Sequence, residues 1–236
     1  MNKYPGNQLF RESWLKLALA NIPENSRILD AGAGELQYKC FCDHLNYVAQ
    51  DFGMYDGRGV EASLQTGSWD NSKLDIVSDI TEIPETDHSF DAIMCVEVFE
   101  HIPEPIEALR EFARLMKPGG TLIITAPVAS LTHFAPYYFY NGFSRYFYEK
   151  HLENFGFEIE ELVFNGNFYE QLIQESRRVE FVAHEHSKIK IGKLRGALLD
   201  LGRKIFVNNL KWLSSNDQNS HELHSFGIHV KARKRS

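Results

Sequence analysis

The stretch Arg-Ile-Leu-Asp-Ala-Gly-Ala-Gly-Glu at residues 27–35 constrains the fold more than any other part of the sequence. A short apolar run ends in Asp30, and Gly32 and Gly34 follow one residue apart. This order is typical of a buried strand and a tight turn whose backbone approaches a ligand closely. We expect a crossover helix at residues 35–44, with its first N–H groups facing the same crevice. The stretch indicates a nucleotide-type site, in a pattern that serves many ligands.

Further apolar runs predict the rest of a sheet. Near-continuous apolar strands that alternate with helices favour a parallel sheet covered on both faces. The alternation at residues 226–230 predicts a final, antiparallel strand, whereas residues 52–73 predict an irregular segment. The expected fold class is α/β, a doubly wound, mostly parallel sheet of seven strands in one domain over residues 1–236. The other predicted strands are 28–30, 47–51, 74–78, 90–96, 121–126 and 157–164, and the main predicted helices are 8–20 and 105–116.

An insertion at residues 165–223 separates the last two predicted strands, and a minimal doubly wound fold does not need it. Its apolar residues recur at helical spacing, and the same segment is basic. It predicts a helical cap over the site or a homodimer contact, with attachment to an anionic membrane surface as the alternative. The apolar residues are Ile191, Leu194, Leu198, Leu201, Ile205 and Trp212, and the basic residues include Lys193, Arg195, Arg203, Lys204 and Lys211.

Composition excludes several classes of protein. The formal charge of −7 argues against a dedicated binder of duplex nucleic acid and favours a small or neutral substrate. Three cysteines without a C-x-x-C spacing predict neither a disulfide framework nor a structural zinc site. No window approaches about 18 uninterrupted apolar residues, and the N-terminus carries no apolar export signal. The expected location is therefore cytoplasmic, without a membrane span.

Acidic residues follow the first four predicted strands, at Asp30, Asp51, Asp79 and Glu97. In an open parallel sheet, the carboxyl ends of the strands meet at the edge where ligands bind, so these side chains should converge. Together they require a ligand with a polar group for the glycine turn, a diol for one carboxylate and an amino-bearing base for another. An adenosine with a charged tail meets these requirements.

The motifs that follow one another along the chain are LDAGAG at residues 29–34, the strand-ending Asp51, Asp79-Ile80, FDAI to EVFEH at residues 90–101, and LMKPGGTL at residues 115–122. In this order they resemble the class I S-adenosylmethionine-dependent methyltransferases, which have a Rossmann-like fold. Within that class they resemble the ubiquinone-pathway O-methyltransferase-like group of small-molecule methyltransferases.

The resemblance implies that the strand-ending residues bind S-adenosylmethionine and release S-adenosylhomocysteine. The implied contacts are Asp30, Gly32 and Gly34 at the methionine end, Asp51 at the ribose hydroxyls, Asp79 with the Ile80 backbone at the adenine, and Glu97 near the amino-acid portion. NAD is a rival ligand, but Gln37 stands where a third glycine would be, and Asp30 would repel a pyrophosphate. A module that binds the cofactor without catalysis is a further alternative.

Methyl transfer to an alcohol requires removal of a proton, and His101 and His133 are the candidate bases. The structural alternatives are that His101 caps the loop into Pro103 and that His133 packs at the surface. The spacing Glu97-x-x-Glu100-His101 is similar to a stretch assigned to magnesium in ubiquinone-pathway and small-RNA 2′-O-methyltransferases. We expect no metal in the site, with magnesium as the alternative.

The many aromatic residues at 132–148 predict a loop that is partly core and partly a wall for the methyl acceptor. The predicted reaction is O-methylation of a small-molecule or carbohydrate-type acceptor, including a lipid-linked sugar. RNA is the alternative acceptor.

Overall fold

The computed structural model describes residues 6–59, 64, 66–186, 188 and 191–236. The first five residues, on which most of the prediction of no export signal depends, lie outside this part of the chain. Among the described residues, no helix combines the length and apolar character needed to cross a membrane.

Seven strands form one sheet in the order β3-β2-β1-β4-β5-β7-β6. Strands β1, β2, β3, β4 and β5 pair in parallel with their neighbours, and β7 runs antiparallel to β5. The predicted fold class is confirmed. The strands are β1 (Arg27–Ala31), β2 (Asn46–Asp51), β3 (Ile76–Val77), β4 (Phe90–Val96), β5 (Met116–Pro127), β6 (Phe157–Asn165) and β7 (Gly227–Lys234).

Five α-helices accompany the sheet within the described residues: α1 (Asn7–Ala20), α2 (Pro105–Leu115), α3 (Arg145–Asn154), α4 (Phe168–His186) and α5 (Lys193–Ser215). Helix α1 buries Leu15 and Leu19 against a core that includes Ile28 and Met94. Each buried leucine stabilises the fold by about 1.5–3 kcal/mol relative to an exposed one. This packing places α1 against the strands that carry the glycine turn.

The predicted crossover helix at residues 35–44 is wrong. Leu36 has a φ of +62°, and a right-handed helix cannot pass through a residue in this left-handed conformation. The backbone N–H groups of Lys39 and Cys42 donate to carbonyl groups three residues back, and the one regular element is a 3₁₀ turn at Lys39–Phe41. A compact series of turns therefore joins β1 to β2.

Several strands differ in length from their predictions, and β7 extends to Lys234 instead of ending at residue 230. Strand β3 keeps only two residues, Ile76 and Val77. Strand β5 begins at Met116 instead of residue 121, because Met116 pairs with Phe90 before a register shift and the regular pairing of Ala92 with Thr121. The predicted irregular segment at residues 52–73 contains no helix in its described part.

The chain divides into two compact units, residues 1–163 with 227–236, and residues 164–226. The second unit contains α4, α5 and a 3₁₀ turn at Ser220–Glu222. Asn167 Nδ2 donates to Ser214 Oγ at 3.0 Å, so the start of α4 lies beside the end of α5 and the two helices are antiparallel. The role of this segment as a cap or dimer contact stays a prediction.

Candidate functional site

The glycine turn after β1 has the conformation and space that glycine alone provides. Gly32 and Gly34 have φ values of +81° and +50°. A Cβ atom on Gly32 would lie 2.5 Å from Val98 Cγ1, and one on Gly34 would lie 2.6 Å from Trp69 Cζ2. The turn is held because the Gly32 N–H donates to the Gln50 carbonyl oxygen at 2.9 Å. A side chain at either glycine would disturb the turn.

Asp51, at the end of β2, lies next to this turn. Its Oδ2 accepts from the Gly34 N–H at 3.1 Å, and its Oδ1 accepts from the Gly53 N–H at 2.9 Å. Burial raises the pKa of Asp51, and these backbone N–H groups oppose the rise. The structure therefore brings Asp51 and Gly34 together, as the convergence of strand ends predicts.

Asp30 lies at the same edge but is 2% exposed. The Tyr47 hydroxyl donates to Asp30 Oδ2 at 2.5 Å. Burial raises the pKa of Asp30 to about 7, the Tyr47 hydrogen bond lowers it, and the charge of Asp51 adds a smaller increase. Sequence reasoning did not identify Tyr47, whose hydrogen bond favours the ionised form of Asp30 against the larger effect of burial.

Asp79 follows β3 and is exposed, whereas Ile80 is buried. Asp79 Oδ1 accepts from the Thr81 N–H at 2.8 Å and from the Thr81 hydroxyl at 2.7 Å, which fixes the loop. The Gln50 side chain ties this region to β2 by donating to the Ser78 carbonyl oxygen at 2.8 Å. Asp79 thus lies beside the end of β2 without touching Asp51.

Glu97, directly after β4, has a φ of +56°. Its Oε1 accepts from the Thr125 hydroxyl at 2.9 Å, and its Oε2 lies 3.1 Å from Arg11 Nη1. Arg11 also donates to the Tyr38 hydroxyl at 3.3 Å. The sequence analysis predicted the helix at residues 8–20 but did not identify Arg11 as a site residue. A signal was present, because Arg11 precedes the buried Leu15 and Ala18 by four and seven residues and shares their helical face.

The two candidate bases lie side by side. His101 is in a 3₁₀ turn, Phe99–His101, after β4, and His133 is in the loop after β5. Their Nε2 atoms are 3.1 Å apart. Glu100 Oε1 lies 3.7 Å from His101 Nε2 and 3.8 Å from His133 Nε2, and Glu100 is 1% exposed. Burial raises the pKa of Glu100 well above its usual value, with a further increase from Glu97.

Hydrogen bonds on the far side of each ring determine where the protons lie. His101 Nδ1 is 2.5 Å from the Tyr137 carbonyl oxygen, and His133 Nδ1 is 2.8 Å from the Leu131 carbonyl oxygen. Each Nδ1 must therefore donate, and a neutral ring then has a lone pair on Nε2. Burial, followed by the neighbouring His133, lowers the pKa of His101 to about 4. With both Nδ1 atoms donating, the two Nε2 atoms face each other at 3.1 Å, a distance at which they can share one proton.

The same three side chains could hold a divalent cation. One ligand atom from each of Glu100, His101 and His133 lies within 4.8 Å of the other two. Glu100 Oε2 is buried without a hydrogen-bond partner among the described residues. Two imidazoles and one carboxylate are ligands typical of transition-metal ions, whereas magnesium prefers oxygen ligands. Glu97, the first acid of the predicted stretch, is instead bound by Arg11 and Thr125.

Aromatic side chains connect the loop after β5 to the segment after β2. The Phe134 ring centroid lies 4.8 Å from that of Tyr55 and 5.3 Å from that of Trp69. Tyr137 meets Phe52 edge-on at 4.8 Å. Because Trp69 also contacts Gly34, these rings extend from the glycine turn to the histidine pair. Tyr148 lies in the core, as predicted for part of this aromatic segment, and Tyr140 is exposed, whereas the wall for the acceptor stays a prediction.

Comparisons with known proteins place this geometry in context. A family model described as a methyltransferase domain matches residues 7–162. The ubiquinone biosynthesis O-methyltransferase of Xanthomonas oryzae pv. oryzae strain PXO99A is 39% identical over 67 residues, which are 28% of this chain and 26% of that protein. The corresponding protein of Xanthomonas campestris pv. campestris strain B100 is 38% identical over 63 residues, 27% of this chain and 26% of that protein. The match thus spans about a quarter of these relatives.

Solved structures resemble the whole fold at low identity. A SAM-dependent methyltransferase from Archaeoglobus fulgidus has a TM-score of 0.58 at 15% identity, covering 97% of this chain and 95% of that one. Haemonchus contortus phosphoethanolamine N-methyltransferase 2, in complex with S-adenosyl-L-methionine, has a TM-score of 0.54 at 16% identity, covering 100% and 55%. The [4+2]-cyclase SpnF has a TM-score of 0.58 at 18% identity, covering 97% and 82%. These likenesses establish the fold alone, since one of the three is a cyclase.

Proposed function

This chain belongs to the methyltransferase-domain family and is an S-adenosylmethionine-dependent methyltransferase, and we propose that it methylates a hydroxyl of a small-molecule or carbohydrate-type acceptor. The family and the cofactor class predicted from the sequence are confirmed. The oxygen acceptor and the residue roles are our proposal. The observation that carries it is the His101–His133 pair, whose lone pairs converge beside the cofactor edge of the sheet.

The residues at the strand ends fit S-adenosylmethionine. A positive sulfonium and ammonium are attracted by carboxylates, and the amino-acid carboxylate of the same molecule is attracted by a cation. Asp30, Asp51 and Glu97 supply the first kind of group, and Arg11 supplies the second. At Gly34 the Trp69 ring already occupies the place that a Cβ atom would take, so the turn requires glycine there.

We assign the contacts as the sequence predicted, with Arg11 added. Asp51 would bind the ribose hydroxyls, because its carboxylate is already oriented by two backbone N–H groups. Asp79, exposed after β3, would bind the adenine amino group together with the Ile80 backbone. Glu97 and Arg11 would bind the ammonium and the carboxylate of the amino-acid portion. Bound S-adenosylmethionine supplies a methyl group on a positively charged sulfur, which an incoming nucleophile displaces in line.

The protein's own part of the reaction is to position the acceptor and to take its proton. A neutral His133, whose ring is more exposed than that of His101, presents an Nε2 lone pair to an acceptor hydroxyl. A proton taken there would lie between the two Nε2 atoms, so His101 shares the charge. The aromatic rings of Phe134 and Tyr137 would exclude water from one side of the acceptor.

A screen of acceptors tests the proposal. Purified protein is incubated with S-adenosylmethionine and a panel of phenols, sugars, amines and a short RNA, and S-adenosylhomocysteine and the product with one added CH₂ are measured. We expect turnover with a hydroxyl acceptor, and His133→Asn should lower kcat by about 10²–10⁴-fold with little change in S-adenosylhomocysteine affinity. His88→Asn is the matched control. His88 also has an Nδ1 bonded to a carbonyl oxygen, at 2.9 Å, and has a positive φ that asparagine tolerates.

Other outcomes would redirect the proposal. Turnover of an amine alone, or full activity of His133→Asn, would refute the proposed base. Methylation of the RNA would favour the alternative acceptor. Binding of S-adenosylhomocysteine without turnover of any acceptor would favour a non-catalytic module.

A divalent cation is the second candidate for the Glu100–His101–His133 cluster, supported by the three converging ligand atoms. Such an ion would replace the shared proton and acidify the acceptor hydroxyl. Elemental analysis of purified protein and activity after chelation separate the two cases. Activity that survives chelation supports the histidine base, and activity restored by manganese or zinc supports the ion.

A further inference from the structure

Helix α5 carries an exposed apolar stripe, which Asn208 and Asn209 interrupt before its last member. The stripe consists of Leu194, Leu198, Leu201, Ile205 and Trp212, spaced four, three, four and seven residues apart. At 3.6 residues per turn these side chains fall within an arc of about 60° and extend over about 27 Å. Each is between 55% and 78% exposed, although α5 also packs against α4 within the same compact unit.

The opposite side of α5 accounts for its contact with α4. Leu210 is 4% exposed, and Arg203 lies 3.9 Å from Glu180 of α4. Leu210 and Arg203 point about 160–180° away from the centre of the stripe. The helix therefore has an inner side that faces α4 and an outer stripe whose five side chains are exposed. A soluble surface rarely leaves five large apolar side chains in a row.

The charges beside the stripe are of one sign. Helix α5 carries five lysines and arginines and one aspartate, whereas the whole chain has a formal charge of −7. Lys193, Lys204 and Lys211 lie along one flank of the stripe, about 80–100° from its centre, and Arg195 lies on the other flank. Asp200, the one acid, forms ion pairs with Arg203 and Lys204.

These charges decide between a second copy of the chain and an anionic surface. The spacing of the stripe also fits the seam of a two-helix coiled coil, in which the flanking positions of the two helices face each other. In such a homodimer the flanking positions of both helices would carry Lys204, Lys211 and Arg195, and no acid. An antiparallel pairing would place lysine against lysine. A second copy is therefore disfavoured, and the stripe requires a partner that is apolar at its centre and anionic around it.

We propose that the outer stripe of α5 is an interfacial membrane-binding helix that lies in the surface of a bilayer containing anionic lipids. The stripe enters the boundary between headgroups and acyl chains, and the flanking lysines contact lipid phosphates. Trp212 lies near the end of the stripe and is a suitable interfacial anchor because its ring is apolar with one polar N–H. The proposal is independent of the methyl acceptor.

Vesicle flotation of the full chain tests the proposal. One variant removes the stripe, Leu198→Gln with Ile205→Gln, and a second removes charge, Lys204→Gln with Lys211→Gln. The control is Leu17→Gln with Lys16→Gln. Leu17 is 68% exposed and lies on α1, outside the unit that contains α4 and α5. Each variant is first compared with the native protein by circular dichroism and by its shift in Tm with S-adenosylhomocysteine.

We expect binding to vesicles of three parts phosphatidylcholine to one part phosphatidylglycerol, and at least tenfold weaker binding to pure phosphatidylcholine. The charge variant should lose about 30-fold in partition coefficient, since each lysine near the surface contributes about fivefold. The stripe variant should lose more than tenfold, and the control should bind like the native protein. Brominated lipid should quench Trp212 emission, and Trp212→Phe should abolish that component.

Three results would overturn the proposal. In the first, the native protein does not bind anionic vesicles. In the second, the stripe variant is folded and binds the vesicles as well as the native protein does. In the third, the native protein self-associates, the stripe variant is monomeric, and vesicles have no effect on either. The third result would assign the stripe to a protein interface. Capture of an acidic helical peptide with no affinity for vesicles would do the same.

Discussion

Replacing Asp51 by asparagine tests the cofactor site at the residue with the best-defined geometry. The two carboxylate oxygens accept separately, Oδ2 from the Gly34 N–H at 3.1 Å and Oδ1 from the Gly53 N–H at 2.9 Å. An asparagine can accept through one oxygen only, and its NH₂ group would face the other N–H. That N–H would lose its partner in a buried place, which costs about 1–3 kcal/mol of folding free energy.

The effect on ligand binding adds to this loss. If the carboxylate also accepts from the ribose hydroxyls, the substitution removes a charged hydrogen bond worth about 1.5–3 kcal/mol. We therefore expect the Kd for S-adenosylhomocysteine to rise about 10- to 150-fold, measured by isothermal titration calorimetry at neutral pH. The unfolding midpoint in urea should fall as well, and it is measured separately so that binding is compared only between folded samples.

Asp75→Asn provides the matched control. Asp75 Oδ2 also accepts from a backbone N–H of β2, that of Ala49 at 2.8 Å, but Asp75 precedes β3 and lies away from the glycine turn. It should lower stability without changing the Kd. An Asp51→Asn protein that is folded and binds with unchanged affinity would refute the assignment of Asp51 to the ribose.

Three further substitutions have outcomes set by charge. Removing the hydroxyl with Tyr47→Phe should raise the pKa of Asp30 above about 7, measured by ¹³C NMR of the carboxyl, and an unchanged value would contradict the role of the hydrogen bond. Burial lowers the pKa of His229 to about 3, so its stability contribution falls as pH decreases from about 6.5 towards 3. His229→Phe should remove about 3 kcal/mol of the stability lost between pH 7 and 4 in urea unfolding, and an equal loss in both proteins would refute this. Arg11→Gln leaves Glu97 without its cation, so the ratio of affinities for cationic S-adenosylmethionine and neutral S-adenosylhomocysteine should rise several-fold, unlike in Lys16→Gln.

The hydrophobic periodicity was sufficient to predict the sheet, and the strand-ending acids were sufficient to predict that acidic residues gather at the carboxyl ends of its strands. Strand β4 begins and ends at the predicted residues, and the acids after β1, β2 and β4 lie at the expected edge. The helix at residues 35–44 failed because Leu36 adopts a left-handed conformation that leucine seldom takes. Local preference gives no warning of such a residue, since surrounding packing imposes it.

Partners that are distant in sequence could not be predicted in the same way. The Arg11–Glu97 ion pair joins α1 to the end of β4, and the Tyr47–Asp30 hydrogen bond joins neighbouring strands. Each depends on a register or a packing angle that the sequence does not state. His101 and His133 were each selected as a base, but their contact at 3.1 Å depends on the path of two loops.

The acids of the site are compensated one at a time, and this explains how four of them fit at one edge of a sheet. Asp51 accepts hydrogen bonds from two backbone N–H groups. Glu97 is bound by Arg11 and Thr125. Asp30 accepts a hydrogen bond from Tyr47 and has a pKa of about 7. Burial disfavours the ionised form of Glu100 and so raises its pKa. The folded protein therefore carries little uncompensated negative charge there before a ligand binds. A cationic ligand would be attracted by an ionised Asp30, and Asp30 ionises at little cost because its pKa is close to the ambient pH. The positive charge of the ligand would itself favour the ionised form of this carboxylate.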